Sequence, residues 1–200
     1  MQSYCSFYYA QKGGMDLNRV EPIRDIELVK DIGRYFKNRS ERNYIMYILG
    51  IYSGLRISDI LKLKVKDVRS KSSISIREQK TGKQKIFPIN PFLKKELSSY
   101  IEDNSFDMDD FLIRAPGKKN KPITRDMAYK IMNQAAEYFG LYNIGTHTMR
   151  KTFGYHFYKQ KKDIVTLQKI FNHSDPSITL IYIGIEQSEI NQKMNEFKIF

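Results

Sequence analysis

Apolar positions recur along this chain with two periods, one helical and one extended, and the change from one to the other marks out its elements. From Ile23 to Phe36 the residues Ile26, Val29, Ile32 and Phe36 fall on one helical face. Ser40 can cap a second helix, Glu41 to Tyr52, which is apolar on nearly every side and is therefore expected at the centre, ending at Gly54. A short third helix is expected after Ser58, carrying Ile60, Leu61 and Leu63. Between Ser73 and Ile89 the pattern turns to alternation, SISIREQKTGKQKIFPI, with Thr81-Gly82 in the middle. That predicts a β-hairpin whose tip carries Lys80, Lys83 and Lys85. Asn90-Pro91 reads as a cap followed by proline in the first helical position, opening a helix to about Ile101. Phe111 to Ile113 is expected as a short extra strand, and Thr124 to Phe139 as a capped helix closed by Gly140. Helices from His147 to about Lys159 and from Asp163 to Asn172 follow, with a last pair around Tyr182 and from Ser188 to Phe197. The pattern describes an α+β fold, mostly helical, with one small antiparallel sheet. At 200 residues one domain is expected, residues 20–200, with residues 1–19 as a tail or connector whose weak boundary is Gly13-Gly14.

Composition narrows the function. Lys+Arg 34 against Asp+Glu 22 leaves a formal charge of +12, and a polyanion is the expected partner of so basic a chain. The charge is also segregated. Arg56 to Lys95 holds twelve basic residues and three acids, Glu102 to Asp110 holds five acids and no base, and Arg114 to Lys130 is basic again. One face is thus expected to meet a phosphate backbone while another must not. The lone Cys5 excludes an intrachain disulfide and a thiolate metal site. With no apolar run near the roughly 20 residues of a membrane span and no secretion signal at the start, a cytoplasmic setting is expected.

Three clusters carry candidate chemistry. In Ser53-Gly54-Leu55-Arg56-Ile57-Ser58-Asp59 an arginine follows a glycine break between two apolar helices, where its guanidinium can point into a cleft with Asp59 bracing it. Taken alone, the same residues are equally a surface Arg–Asp pair. In Gly145-Thr146-His147-Thr148-Met149-Arg150-Lys151 the histidine and arginine stand three apart, about 60° on a helix, so a proton-handling imidazole and a bidentate phosphate clamp share one side. His156 lies about 180° from His147 by the same periodicity and is taken as structural or exposed. In Phe171-Asn172-His173-Ser174-Asp175-Pro176-Ser177-Ile178-Thr179-Leu180-Ile181-Tyr182, His173 ends one helix, Asp175-Pro176 caps the next and Tyr182 lies two turns into it. One tyrosine among 14 is, by itself, more often packing than nucleophile.

In order along the chain these pieces resemble the catalytic domain of the tyrosine recombinases, the phage integrase family. The resemblance runs over about residues 20 to 195: Gly-Leu-Arg at Arg56 with Asp59, the lysine of Lys80-Thr81-Gly82-Lys83, His-x-x-Arg at His147 and Arg150, then His173 and Tyr182. It implies cleavage and rejoining of double-stranded DNA through a covalent 3′-phosphotyrosine, with no metal, cofactor or external energy source. Arg56 and Arg150 would clamp the non-bridging oxygens that gain charge in the transition state. Tyrosine is a weak nucleophile at a pKa of about 10, so nearby positive charge would ease its ionisation, with His147 as base or proton acceptor. Lys80 would protonate the departing 5′-oxygen, His173 would hydrogen-bond the phosphate and position Tyr182, and Asp59 would orient the Arg56 and His147 neighbourhood from behind. Lys83, Lys85 and Lys151 are expected on DNA. The resemblance further implies a homo-oligomer, four protomers on two DNA sites, and a C-terminal tail, Glu186 to Phe200, which packs either on a neighbour or on its own core. Family members usually add an N-terminal helical domain that closes round the DNA, and the residues before the first helix are too few to supply it. Two other readings share these residues. A DNA-relaxing topoisomerase of the same chemistry would relax plasmids without site preference, whereas a non-catalytic DNA-binding module would be indifferent to Tyr182→Phe.

Overall fold

The Asp25 carboxylate accepts from the amides of Glu27 and Leu28 and so starts the first helix, α1 (Ile26–Arg39), in a computed structural model that describes residues 20–77, 82, 84–117, 120–185 and 194–199. The remaining helices are α2 (Glu41–Ser53), α3 (Ile57–Ile60), α4 (Val65–Val68), α5 (Pro91–Asp103), α6 (Arg125–Tyr138), α7 (Thr146–Lys161), α8 (Ile164–Phe171) and α9 (Pro176–Tyr182). Strands β1 (Ser73–Arg77) and β2 (Gln84–Pro88) pair antiparallel, with Ile74 opposite Phe87 and Ile76 opposite Lys85. The mostly helical α+β architecture matches the expected one. No helix of the described residues is long and apolar enough to cross a membrane.

Local chemistry sets most boundaries. Ser40, Asn90, Thr124, Asp163 and Asp175 each accept an amide from the first turn of the helix they precede. Helix α2 is buried on nearly all sides, from Tyr44 through Gly50, and runs through the centre of the main core. Helix α7 crosses it where Gly50 faces Met149; a Cβ on Gly50 would stand 2.7 Å from the Met149 side chain, so only glycine lets the two axes come this close. A second, smaller apolar cluster is built by Leu167, Phe171, Ile183 and Ile185, with Phe153, Phe157 and Tyr182 packed against it.

The structure corrects several expectations. Ile23 is buried in the core but precedes the cap, so α1 begins at Ile26, and Ile26 is 44% exposed and takes no part in the buried face of Val29, Ile32 and Phe36. The third helix starts at Ile57 and ends at Ile60, and a separate short helix, α4, follows it. Phe111 to Ile113 is not a strand: Lys64 bridges to Phe111 and Arg114 to Pro122, isolated pairs that tie a loop down without extending a ladder. Lys85 sits within β2 opposite Ile76, below the hairpin tip. Lys80 and Lys83 lie outside the described residues, as does most of the expected last helix, of which Met194–Glu196 form one helical turn.

Candidate active site

The Gly-Leu-Arg junction is shaped by Gly54. Its φ of 63° is left-handed, its amide closes α2 onto the Gly50 carbonyl at 3.1 Å, and a Cβ here would overlap the Phe153 ring. Leu55 is then buried, and half-buried Arg56 takes the N-cap position of α3. The Asp59 amide donates to the Arg56 carbonyl at 2.9 Å, and Asp59 is 3% exposed in that same turn.

Helix α7 supplies the second arginine. Its first turn is tightened by the Gly145 amide donating to Thr148 Oγ1 at 3.0 Å. One turn in, Arg150 is 2% exposed. Its guanidinium donates to the Gly54 carbonyl and, at 3.1 Å, to the Phe171 carbonyl, while lying 4.3 Å from the Phe171 ring centroid. A single side chain thus ties the end of α2 to the end of α8. His147, on the same side of α7, remains exposed at the mouth of the site.

The histidine and tyrosine come from the turn between α8 and α9. Asn172 ends α8 with a left-handed φ of 56°, and the chain returns so that His173 Nδ1 lies 3.0 Å from Thr179 Oγ1 on α9. The Tyr182 ring meets Phe171 edge-on at 5.3 Å and His173 at 5.2 Å between centroids. Its hydroxyl lies 3.4 Å from His147 Nδ1, at the long end of hydrogen-bond range. Burial raises the Tyr182 pKa, and the neighbouring Arg150 and Arg56 pull it back down. Burial lowers that of His173, helped by Arg150, Arg56 and Lys85, which keeps this imidazole neutral at neutral pH. Arg56, His147, Arg150, His173 and Tyr182, spread over 127 positions of sequence, therefore share one electrostatic neighbourhood.

The basic residues expected on DNA divide. Lys85 reaches from β2 across to the end of α8, where its Nζ donates to the Ile170 carbonyl at 2.5 Å, so it fastens the hairpin base beside His173. Lys151 is 7% exposed, its Nζ donating to the Val20 carbonyl at 2.6 Å, so it is buried against the segment ahead of α1. His156 is structural, half-buried with Nε2 2.9 Å from the Ile23 carbonyl. Sequence reasoning missed Phe171, Thr179 and the Gly54 carbonyl, which hold the arginine and the histidine. Only the glycine carried a signal, because a glycine between two apolar helices marks a left-handed residue.

A family model described as the phage integrase family matches residues 25–189. A probable integrase/recombinase of Bacillus subtilis (strain 168), YoeC, is 47% identical over 168 residues, which cover 84% of this chain and 91% of that protein. A tyrosine recombinase of Pseudothermotoga lettingae is 26% identical over 194 residues, covering 90% of this chain and 66% of its own length. In three dimensions the fold matches the crystal structure of XerA recombinase with a TM-score of 0.72 at 22% identity, over 88% of this chain and 65% of that one. It also matches XerH site-specific recombinase bound to palindromic difH substrate in a post-cleavage complex, with a TM-score of 0.70 at 18% identity, over 88% of this chain and 53% of that one. Beside these longer proteins the chain spans just over half to two thirds of their length.

Proposed function

This chain belongs to the phage integrase family, and from that membership we propose that it is a tyrosine-type site-specific recombinase which cuts and reseals double-stranded DNA through a 3′-phosphotyrosyl intermediate. The observation that carries the reading is the convergence of Tyr182, His147, Arg150 and His173, from α7, the α8–α9 turn and α9, with Arg56 close enough to bias the ionisation of both Tyr182 and His173. Tyr182 Oη attacks the scissile phosphorus, forming a bond to the 3′-phosphate as the bond to the 5′-oxygen breaks. The phenolic proton passes to His147, and the departing 5′-oxygen takes a proton from Lys80. Arg150 and Arg56 stabilise charge on the non-bridging oxygens, the kind of interaction whose loss costs about a hundredfold or more in rate. Neutral His173 donates a hydrogen bond to the phosphate, and buried Asp59 supports the Arg56 turn from behind. Because the ester keeps the energy of the broken bond, a 5′-hydroxyl from the same or another strand can reverse the step. Double-stranded DNA is the proposed partner, with a homo-oligomer assembled on it.

The test is covalent trapping on nicked duplexes in EDTA, resolved under denaturing conditions. A DNA-linked band from the wild type and none from Tyr182→Phe is the expected outcome. Equal bands from both proteins, or clear duplex binding with no band from either on any nicked substrate, would overturn the reading.

A further inference from the structure

Two consecutive residues of α7 hold Tyr182 from different directions. Neighbours on a helix diverge by about 100°, and Arg150 donates to the Gly54 and Phe171 carbonyls while Lys151 donates to the Val20 carbonyl. The Tyr182 ring meets both, with its hydroxyl end in the field of Arg150 and the Lys151 ammonium 5.2 Å from the ring centroid, inside the range of a cation–π contact. Burying an ammonium is costly, and here two groups compensate it at once, a carbonyl and a ring face.

The carbonyl belongs to a segment that is itself fastened. In the stretch leading into α1, the Ile23 amide donates to Thr152 Oγ1 at 2.9 Å, its carbonyl meets His156 Nε2 at 2.9 Å, and Arg24 donates to the Gly184 carbonyl at 3.0 Å, two residues past Tyr182. Gly184 has a left-handed φ of 73°, a backbone conformation that favours glycine at this point. Residues 20–24 therefore grip α7 and the end of α9 together, with Lys151 as the link that touches the tyrosine ring.

We propose that Lys151 is a positioning residue for the nucleophile: its ammonium, held between the Val20 carbonyl and the Tyr182 ring, fixes where the phenol points and couples the segment ahead of α1 to the reacting group. This rests on Tyr182 being the nucleophile. Lys151 acts on the ring and does not grip DNA, so its loss slows cleavage without loosening DNA. Lys151→Met removes both the charge and the bond, Lys151→Gln keeps a donor for Val20 without the charge, and Lys151→Arg keeps the charge.

Two readouts test it on the full chain. With tyrosine labelled at Cζ with carbon-13, the Tyr182 resonance, assigned by its disappearance in Tyr182→Phe, is expected to move in Lys151→Met and Lys151→Gln and to stay near its wild-type place in Lys151→Arg. In single-turnover cleavage of a nicked duplex, Lys151→Met is expected to react about tenfold more slowly with affinity changed less than about twofold, since small displacements of a nucleophile cost rate and not binding. The proposal is overturned if the Tyr182 resonance stays in place in the charge-free variants, or if duplex affinity falls in step with the rate. Should Lys151→Met fail to fold, the Gln and Arg variants decide it by the same resonance. The resonance is read without DNA, so a wild type that forms no adduct counts against the catalytic reading alone.

Discussion

A guanidinium stacked on Phe171 and bonded to the carbonyls of Gly54 and Phe171 has given up most of an arginine's rotamer freedom before any DNA arrives. Charge alone does not reproduce this, because lysine lacks the planar fork that meets two carbonyls and a ring together. Arg150→Lys is therefore expected to lower the single-turnover cleavage rate by about a hundredfold or more while duplex affinity stays within several-fold; equal loss of both would make Arg150 a DNA-gripping residue. His173 offers a pH test. Its folded pKa lies below the ordinary 6.5, first through burial and then through Arg150, Arg56 and Lys85, and burial depresses His156 as well. The unfolded chain thus takes up protons more readily, so stability is complete above about pH 6.5 and is lost as pH falls through the folded values. Thermal midpoints are expected to drop over that range and to drop less in His156→Gln; a flat profile would refute it. The proposed catalytic set stands in short motifs, so its residue types were open to reading in order along the chain. The burial of Lys151 was not, because a lysine after His-x-x-Arg looks like any solvated helix residue until the Val20 segment is placed over it.

At the level of elements, glycines mark where helices approach, and two of them give opposite forecasts. Gly154 on α7 faces Phe171 and Ile183, where a Cβ would stand 2.7 Å away from both. Alanine gains about 1 kcal/mol of helix propensity there, yet overpacking costs about 1–3 kcal/mol. Gly154→Ala is therefore expected to lower the thermal midpoint and to impair cleavage by shifting α8 and α9. Gly33 on α1 differs, because its added Cβ would find Tyr47 at 3.7 Å and Tyr44 at 3.9 Å, ordinary contact distances. Gly33→Ala should raise stability by about 1 kcal/mol, and a calorimetric comparison of the two variants checks both. Helices whose ends are fixed by their own side chains were legible in sequence: Ser40, Asn90, Thr124, Asp163 and Asp175 all cap as their residue types suggest. Elements fixed from a distance were not. Phe111 to Ile113 has strand-like composition, but among the described residues no neighbouring strand extends its bridge to Lys64. Helix α4 depends on Val65 and Val68 reaching the main core, which four residues cannot announce.

Across the whole molecule, an excess of twelve positive charges would make the proposed duplex binding a function of salt. The logarithm of the binding constant is expected to fall linearly with the logarithm of salt concentration, by about 0.9 per phosphate neutralised, and a salt-independent affinity would contradict a backbone-gripping face. The main core surrounds α2, whereas the α8–α9 pair is anchored by the smaller cluster of Leu167, Phe171, Ile183 and Ile185. Arg56 stands with the first body and His173 and Tyr182 with the second, while Arg150 joins them through the Gly54 and Phe171 carbonyls. Small apolar clusters of this kind open at lower free energy than the cores beside them. Amide protons of α8 and α9 should accordingly exchange with solvent ahead of those of α2, in an event that leaves the larger body intact. On that expectation each opening would take Tyr182 away from Arg56 and Arg150 and each closing would return it, so the proposed site would be a dissociable assembly within one chain, and whatever clamps the smaller body shut would raise the fraction of time it exists.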